Sequence, residues 1–337
     1  MTVVGPFGLS VQDRDLTSDV QAGMDAVEAS LTETVKSEVP FITVTASHLI
    51  EAGGKRFRPL LVMLAAQFGD PYAPGVVPAA VVVELTHLAT LYHDDVMDEA
   101  PVRRGAPSAN SRWDNSVAIL TGDFLFSRAS QVLADLGPAA VRLQADAFER
   151  LVTGQILETA GPRPEDDPLQ HYLDVIAGKT GSLVAVACHL GALMAGATPE
   201  AVEILRQYGE RMGTAFQLAD DVLDIASDGH ESGKTPGTDL REGVPTLPIL
   251  LLQQMPVDQA DPEDLRLREL LTLDLAADDE LHAEALKLLR RHPALERARR
   301  DTLRYAEEAR ALLAPLPDCP AKAALQGLCD AVAIRTM

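Results

Sequence analysis

Apolar residues recur at three-to-four spacing through segments longer than a strand can be, and this pattern limits the fold more than any other feature. A strand changes face at every residue and is usually about five or six residues long; a helix returns to the same face every 3.6. AVVVELTHLATLYHDDVMD, SVAILTGDFLFSRASQVLADLG, AVRLQADAFERLVTGQILE and AVEILRQYGERMGTAFQLADDVLDIASD all continue at helical spacing. LVAVACHLGALMAG is very apolar, which predicts a helix buried on most sides. No segment sustains two-residue alternation between turn signals, so the expected class is all-α, with no sheet. The breaks are rich in proline and glycine: GDPYAPGVVP, APVRRGAPSAN, AGPRPEDDP and DGHESGKTPGTDLREGVPTLP.

A chain of 337 residues with 47% hydrophobic content can bury a sizeable core, and it reads as one domain over residues 1–337. The more charged helices from about residue 257 are expected to pack on the same bundle, with a break near Pro293. No apolar run approaches about 18 residues without a charge, so no spanning helix is expected; VVPAAVVVELTHLATLY carries Glu84 and His87. The N-terminus lacks a basic segment followed by an apolar one, so no secretory signal is read there. Cys188, Cys319 and Cys329 are odd in number and have no metal-ligand spacing, which suits reduced thiols in the cytoplasm. The formal net charge of −21 argues against nucleic acid as a partner. It would also repel a phosphorylated substrate, unless metal ions or a local basic cluster reverse the sign at the site.

Carboxylates occur where such a reversal would be needed. DDVMD at 94–98 and DDVLD at 220–224 each follow an apolar helical run, ELTHLATLYH and TAFQLA. Asp94 and Asp98 are an i, i+4 pair, as are Asp220 and Asp224, so each pair shares a helix face. Like charges at that spacing disfavour a helix by about 0.2–0.5 kcal/mol, and a divalent cation reverses the sign. Mg²⁺ takes oxygen ligands and keeps several waters, so it suits a few carboxylates together with phosphate oxygens. One such motif alone is more often a solvated helix face; two copies, each ending a core-facing helix, favour metal binding. His93 beside Asp94 resembles the HD pair of metal-dependent phosphohydrolases, but no partner motif appears among the eight histidines.

Cations stand nearby. EAGGKRFRP at 51–59 sets Gly53 and Gly54 ahead of Lys55, Arg56 and Arg58, and Arg103 and Arg104 follow the first acidic cluster. Glycine permits close backbone approach, and guanidinium groups clasp phosphate oxygens in pairs. GKTG at 178–181 lacks the spacing and the preceding strand of a nucleotide-binding loop, so that function is excluded. Lys234 follows the second acidic cluster.

GGKRFRP, ELTHLATLYHDDVMDEAPVRRG, GDFLFSRAS, GKTGSL, FQLADDVLDIASD and GKTPGTDLREGVPTLP, in that order, resemble the trans-isoprenyl diphosphate synthases, or polyprenyl synthetases, over most of the chain. The resemblance implies a helical bundle around a deep central cavity and a homodimer. It implies that Lys55, Arg58, His87 and Arg104 bind the diphosphate of isopentenyl diphosphate. Asp94, Asp98, Asp220 and Asp224 would hold Mg²⁺ on an allylic diphosphate primer, with Arg103 and Lys234 on the same leaving group. Lys179, Thr180 and Gln217 would lie along the allylic chain near the developing cation. Ala89 and Thr90, just before the first aspartate, are small where short-chain members often carry an aromatic, which implies an open tunnel. Leu125, Phe126 or Phe148 could form its floor. A long all-trans product, heptaprenyl to decaprenyl, for a quinone such as menaquinone is expected, with transient membrane contact for its release. One departure is REGVPTLP, where many relatives have a lysine in place of Val244 or Pro245. A shorter-chain synthase, a class I terpene cyclase and a non-catalytic partner subunit remain as alternatives; the last two usually lack one of the motifs present here.

Overall fold

In the computed structural model the described residues are 2–4, 9–11, 13–227, 236–257 and 261–336. A short ladder, β1 (Thr2–Val4) with β2 (Leu9–Val11), precedes the helices α1 (Arg14–Thr34), α2 (Pro40–Glu51), α3 (Phe57–Ala66) and α4 (Val76–Met97). A second ladder, β3 (Val102–Arg103) with β4 (Ala106–Pro107), leads to α5 (Ala109–Arg112), α6 (Asn115–Leu136) and α7 (Pro138–Ala160). Then come α8 (Pro168–Ile176), a π-helical turn (Ala177–Gly181), α9 (Ser182–Met194) and α10 (Pro199–Ala226). The chain closes with α11 (Thr238–Arg241), α12 (Leu247–Gln253), α13 (Pro262–Leu270), α14 (Asp279–Arg291), α15 (Pro293–Leu312) and α16 (Pro320–Thr336). The all-α expectation holds, but the expectation of no sheet is corrected by the two ladders. The second is a tight hairpin: Arg104 and Gly105 both have positive φ, 54° and 76°, as a two-residue hairpin turn requires.

The prolines explain many boundaries. α2, α7, α8, α10, α13, α15 and α16 each begin on one, where a missing N–H has no helical partner to lose. Aspartates cap several starts: Asp13 accepts from the backbone of Asp15 and Leu16, Asp114 from Val117, and Asp278 from Glu280 and Leu281. Pro293 starts α15 directly after α14, which is the break expected from sequence.

The described residues fall into two compact units, one comprising Met1–Glu149, Ser182–Gly209 and Leu312–Leu328, the other Arg150–Gly181, Glu210–Ala311 and Cys329–Met337. In the first, α4 packs against α1, α3, α6 and α9, and Val81, Val82, Val83, Leu85, Leu88 and Ala89 are fully buried. This encirclement is why its sequence is apolar on several faces. By length and composition α4 could cross a membrane, as could the run Pro168–Met194, but the greater part of each apolar window is buried inside the protein. In the second unit, Leu218, Val222 and Ile225 of α10 form a core with Leu247 and Leu251 of α12, Leu267 of α13 and Leu289 of α14.

Candidate active site

The loop before α3 and the first turn of that helix sort three cations by where they point. Arg56 takes a left-handed conformation, φ 47°, and turns inward. Its Nε donates to Glu28 at 2.5 Å, one terminal nitrogen donates to Glu84 at 3.1 Å, and the other to the Ile50 carbonyl at 3.1 Å. Arg56 and Glu84 are both buried, so this cation belongs to the structure rather than to a ligand. Lys55 on one side stays exposed. Arg58 on the other has a buried Nε with no hydrogen-bond partner, a donor left over for an anion. Burial, and then the neighbouring Arg104, push Arg58 down to about 10 against the pull of Glu84, so it remains protonated at neutral pH.

Arg104 reaches the same place from the hairpin. It donates to the carbonyls of Leu49, at 2.9 Å, and of Gly53. Its guanidinium lies on Gly54, whose φ is +147° and where a Cβ would stand 2.8 Å from the Arg104 Cζ. That explains the glycine pair: the backbone must pass close beneath a planar cation. His87, half-buried on α4, faces this group. Burial, followed by the charges of Arg58, Arg104, Arg103 and Arg56, holds it well below the ordinary histidine range, so it is neutral at pH 7 and can donate one ring N–H. The structure thus brings Arg58, His87 and Arg104 together.

At the end of α4 the three aspartates differ. Asp95 is fully buried, and Arg103 donates to it from Nε at 2.6 Å. Burial raises its pKa, and the hydrogen bond from Arg103 opposes that rise. Asp94 is half-buried and Asp98, the residue closing the helix, is exposed. Arg103 is therefore anchored through Nε, with its terminal nitrogens left for a ligand.

The second motif repeats this division. Asp221 is buried, accepting from the Tyr172 hydroxyl and, at 3.1 Å, from Gln217 Nε2. Burial pushes its carboxyl up to about 7. Asp220 and Asp224 are half-buried. Asp224 accepts from the backbone of Thr238 at 3.1 Å and of Asp239 at 3.2 Å, holding the start of α11. Thr180 donates to Gln217 Oε1 at 3.1 Å, which joins two of the residues expected near the allylic chain. Lys179, in the same π-helical turn, pairs with Glu158 at 2.6 Å. The turn lies tightly on α7: a Cβ on Gly154 would meet the Lys179 nitrogen at 2.7 Å, and one on Gly178 the Arg150 carbonyl at 2.9 Å. The glycine of GKTG is a packing requirement. Lys234 lies outside the described residues.

Ala89 is fully buried and Thr90 half-buried, its hydroxyl returned to the His87 carbonyl at 2.8 Å. In the same unit the Phe126 and Phe148 rings are 4.6 Å apart, and His93 lies 5.8 Å from Phe126. Leu125 is fully buried.

Among the described residues no group of three or more histidine, cysteine or acidic side chains could enclose a metal ion. Each motif instead offers carboxylates in i, i+4 pairs that solvent can reach, beside one buried aspartate. That donor set fits a hard cation completing its shell with water and phosphate oxygens, and does not fit a closed structural site.

Residues 39–289 match the polyprenyl synthetase family model. The chain belongs to the polyprenyl synthetase family. As a polyprenyl synthetase it is a prenyltransferase. Its similarity extends to a nonaprenyl diphosphate synthase of Mycobacterium tuberculosis, 49% identical over 96% of this chain and 95% of the relative. Among solved structures, a geranylgeranyl pyrophosphate synthase from Corynebacterium glutamicum, complexed with calcium and isoprenyl diphosphate, superposes with a TM-score of 0.86 and 45% identity, covering 97% of this chain and 99% of that one. A decaprenyl diphosphate synthase from Rhodobacter capsulatus gives 0.85 and 36%, covering 96% and 99%. Sequence reasoning for this polyprenyl synthetase passed over Glu28, Tyr172 and the burial of Asp221. Glu84 did leave a signal, an acid inside the apolar run AVVVELTHLATLY, which when buried must be paired.

Proposed function

We propose that this polyprenyl synthetase condenses isopentenyl diphosphate with an allylic diphosphate to make a long all-trans polyprenyl diphosphate, with Mg²⁺ as its ion. The observation that carries the reading is the cluster of Arg58, His87 and Arg104, with an unpartnered buried donor on Arg58, in a chain of net charge −21. Such a cluster suits an anion with several oxygens, such as a diphosphate. Lys55, Arg58, His87 and Arg104 bind the isopentenyl diphosphate. Asp94 with Asp98, and Asp220 with Asp224, would hold the divalent ions, and Arg103 and Lys234 add positive charge to the same leaving group. When bound, the ions supply charge that stabilises the departing diphosphate. Thr180 and Gln217 turn oxygen dipoles toward the allylic chain as its bond to diphosphate breaks, and Lys179 lies along the same chain with its charge paired to Glu158. The isopentenyl double bond attacks the allylic carbon as its C–O bond to diphosphate breaks, and the proton lost from the isopentenyl carbon next to the resulting cation goes to the released diphosphate, leaving a new double bond. Apolar walls exclude water that would otherwise trap the cation as an alcohol. The calcium and isoprenyl diphosphate named for the Corynebacterium structure support a divalent ion and this substrate class.

Small residues at Ala89 and Thr90, together with the nonaprenyl and decaprenyl relatives, support a heptaprenyl to decaprenyl product for a quinone side chain. The geranylgeranyl synthase at 45% identity favours a shorter product as a second reading. Three free thiols support a reducing, cytoplasmic setting. On α6, Ile119 and Leu120 are 42% and 66% exposed, which supports a homodimer through that helix.

The test is purified protein with Mg²⁺, radiolabelled isopentenyl diphosphate and farnesyl diphosphate, with products separated by length on a reversed-phase plate. Labelled chains of heptaprenyl to decaprenyl length are expected. A ladder ending at geranylgeranyl establishes the second reading, cyclised unlabelled hydrocarbon means a terpene cyclase, and turnover only after another protein is added means a dependent subunit. Ala89→Phe is expected to shorten the product while turnover persists; an unchanged length removes the tunnel assignment. Gly54→Ala drives a methyl group into the Arg104 guanidinium, so KM for isopentenyl diphosphate is expected to rise about tenfold at nearly constant kcat, as loss of one charge-assisted phosphate contact predicts. An unchanged KM would show that Arg104 does not hold this substrate.

A further inference from the structure

A chain of three hydrogen bonds in the second unit ends on side chains proposed to face the allylic group. Tyr172 donates to Asp221 Oδ2, Gln217 Nε2 donates to Asp221 Oδ1 at 3.1 Å, and Thr180 donates to Gln217 Oε1 at 3.1 Å. Asp221 is 3% exposed, while its neighbour in the motif, Asp220, is half-buried. The Tyr172 ring packs against the core of that unit, so its hydroxyl is fixed relative to α10.

The polarity of this chain follows from its chemistry. A primary amide has one end that donates and one that accepts, and rotating it by half a turn exchanges them. Asp221 Oδ1 is an acceptor, so Gln217 must present its NH₂ there and its carbonyl toward Thr180. The Thr180 hydroxyl then spends its proton on that carbonyl, leaving its own lone pairs unspent. An allylic group gaining positive charge beside these two side chains meets oxygen lone pairs and no N–H, the sign that stabilises it.

We propose that Asp221, held by Tyr172, is a positioning residue that locks the Gln217 amide with its oxygen toward the reacting group. The proposal rests on the prenyl-transfer reading above and deepens it: one aspartate of the motif orients a side chain instead of holding the ion. Tyr172 has no counterpart in that reading, and a purely structural tyrosine there would affect stability alone.

The experiment is a double-mutant cycle in the full chain, using Tyr172→Phe and Gln217→Leu, with kcat, both KM values and the Mg²⁺ concentration for half-maximal rate. Tyr172→Phe is expected to lower kcat about tenfold, the usual consequence of losing one hydrogen bond to a charged group, with both KM values and the Mg²⁺ requirement unchanged. The double variant is expected to be no slower than Gln217→Leu alone, because the tyrosine acts only through that amide. A wild-type kcat in Tyr172→Phe, multiplying losses, or a shifted Mg²⁺ requirement would each overturn the proposal. If Tyr172→Phe does not fold, Asp221→Asn, which preserves shape and allows the amide to invert, enters the same cycle with the same expected pattern in kcat and KM. Wild-type protein without any turnover would overturn the prenyl-transfer reading and this proposal together, whereas turnover with an indifferent Tyr172 overturns this proposal alone.

Discussion

Asp94→Ala and Asp220→Ala are each expected to lower prenyl-transfer turnover about a thousandfold or more, because under the proposed assignment each removes a ligand of a divalent ion at a departing diphosphate, which contributes several kcal/mol to the transition state, and about 1.4 kcal/mol is a factor of ten. The helix content is expected to stay the same in both. Neither side chain caps a helix start, and both are half-buried rather than part of a core. Removing a like charge from an i, i+4 pair relieves repulsion along the helix, so the substitutions should be neutral or mildly favourable for folding. Asp224→Ala provides a contrast. It removes a carboxylate that also accepts from the backbone of Thr238 and Asp239, so it should lower both turnover and local order around α11. Steady-state rates across a Mg²⁺ titration, with circular dichroism on the same samples, separate the two outcomes. Near-normal rates for Asp94→Ala or Asp220→Ala would mean that these carboxylates do not hold the ion.

The sequence showed that acids stand at 94–98 and 220–224, but not that each cluster divides its labour. Spacing treats Asp94 and Asp95 alike, and only packing reveals that Asp95 turns inward to Arg103 while Asp94 stays within reach of solvent. The same limit applied to Lys55, Arg56 and Arg58. Three neighbouring cations read as one basic loop, although the left-handed backbone at Arg56 sends its guanidinium to Glu28, far back in the chain. Long helices were legible because burial of a wide face leaves its period in the residues, as in α6 and α10. The π-helical turn at 177–181 was not, since one extra residue in a turn leaves no periodic trace and the glycine it packs against, Gly154, lies on another helix. The β3–β4 hairpin was missed because Arg104 occupies a turn position where asparagine, aspartate or glycine is the usual signal.

Glu84→Ala is expected to destabilise the protein by about 3–5 kcal/mol, the range found when one partner of a buried ion pair is removed. Glu84 is 2% exposed and sits between Val83 and Leu85, both fully buried, so water cannot replace it. Its charge opposes the burial of three guanidinium groups: it bonds Arg56 directly and favours the charged forms of Arg58 and Arg104. Glu28 bonds Arg56 and also favours the charged form of Arg104, but it is 44% exposed, where an ion pair contributes little. With Glu84 absent, Arg58 and Arg104 repel each other in a poorly hydrated site, and the cluster proposed to receive a diphosphate loses its assembly. An anion should restore part of what is lost. Inorganic diphosphate, added to the Glu84→Ala protein, is therefore expected to raise the thermal unfolding midpoint by more than it does for the wild type, because bound anion supplies the missing counter-charge as well as its own binding energy. Thermal unfolding with and without diphosphate measures both effects. A midpoint unchanged by the substitution would mean that the guanidinium groups are hydrated in solution and need no internal counter-ion; a diphosphate response no larger than that of the wild type would place the anion elsewhere.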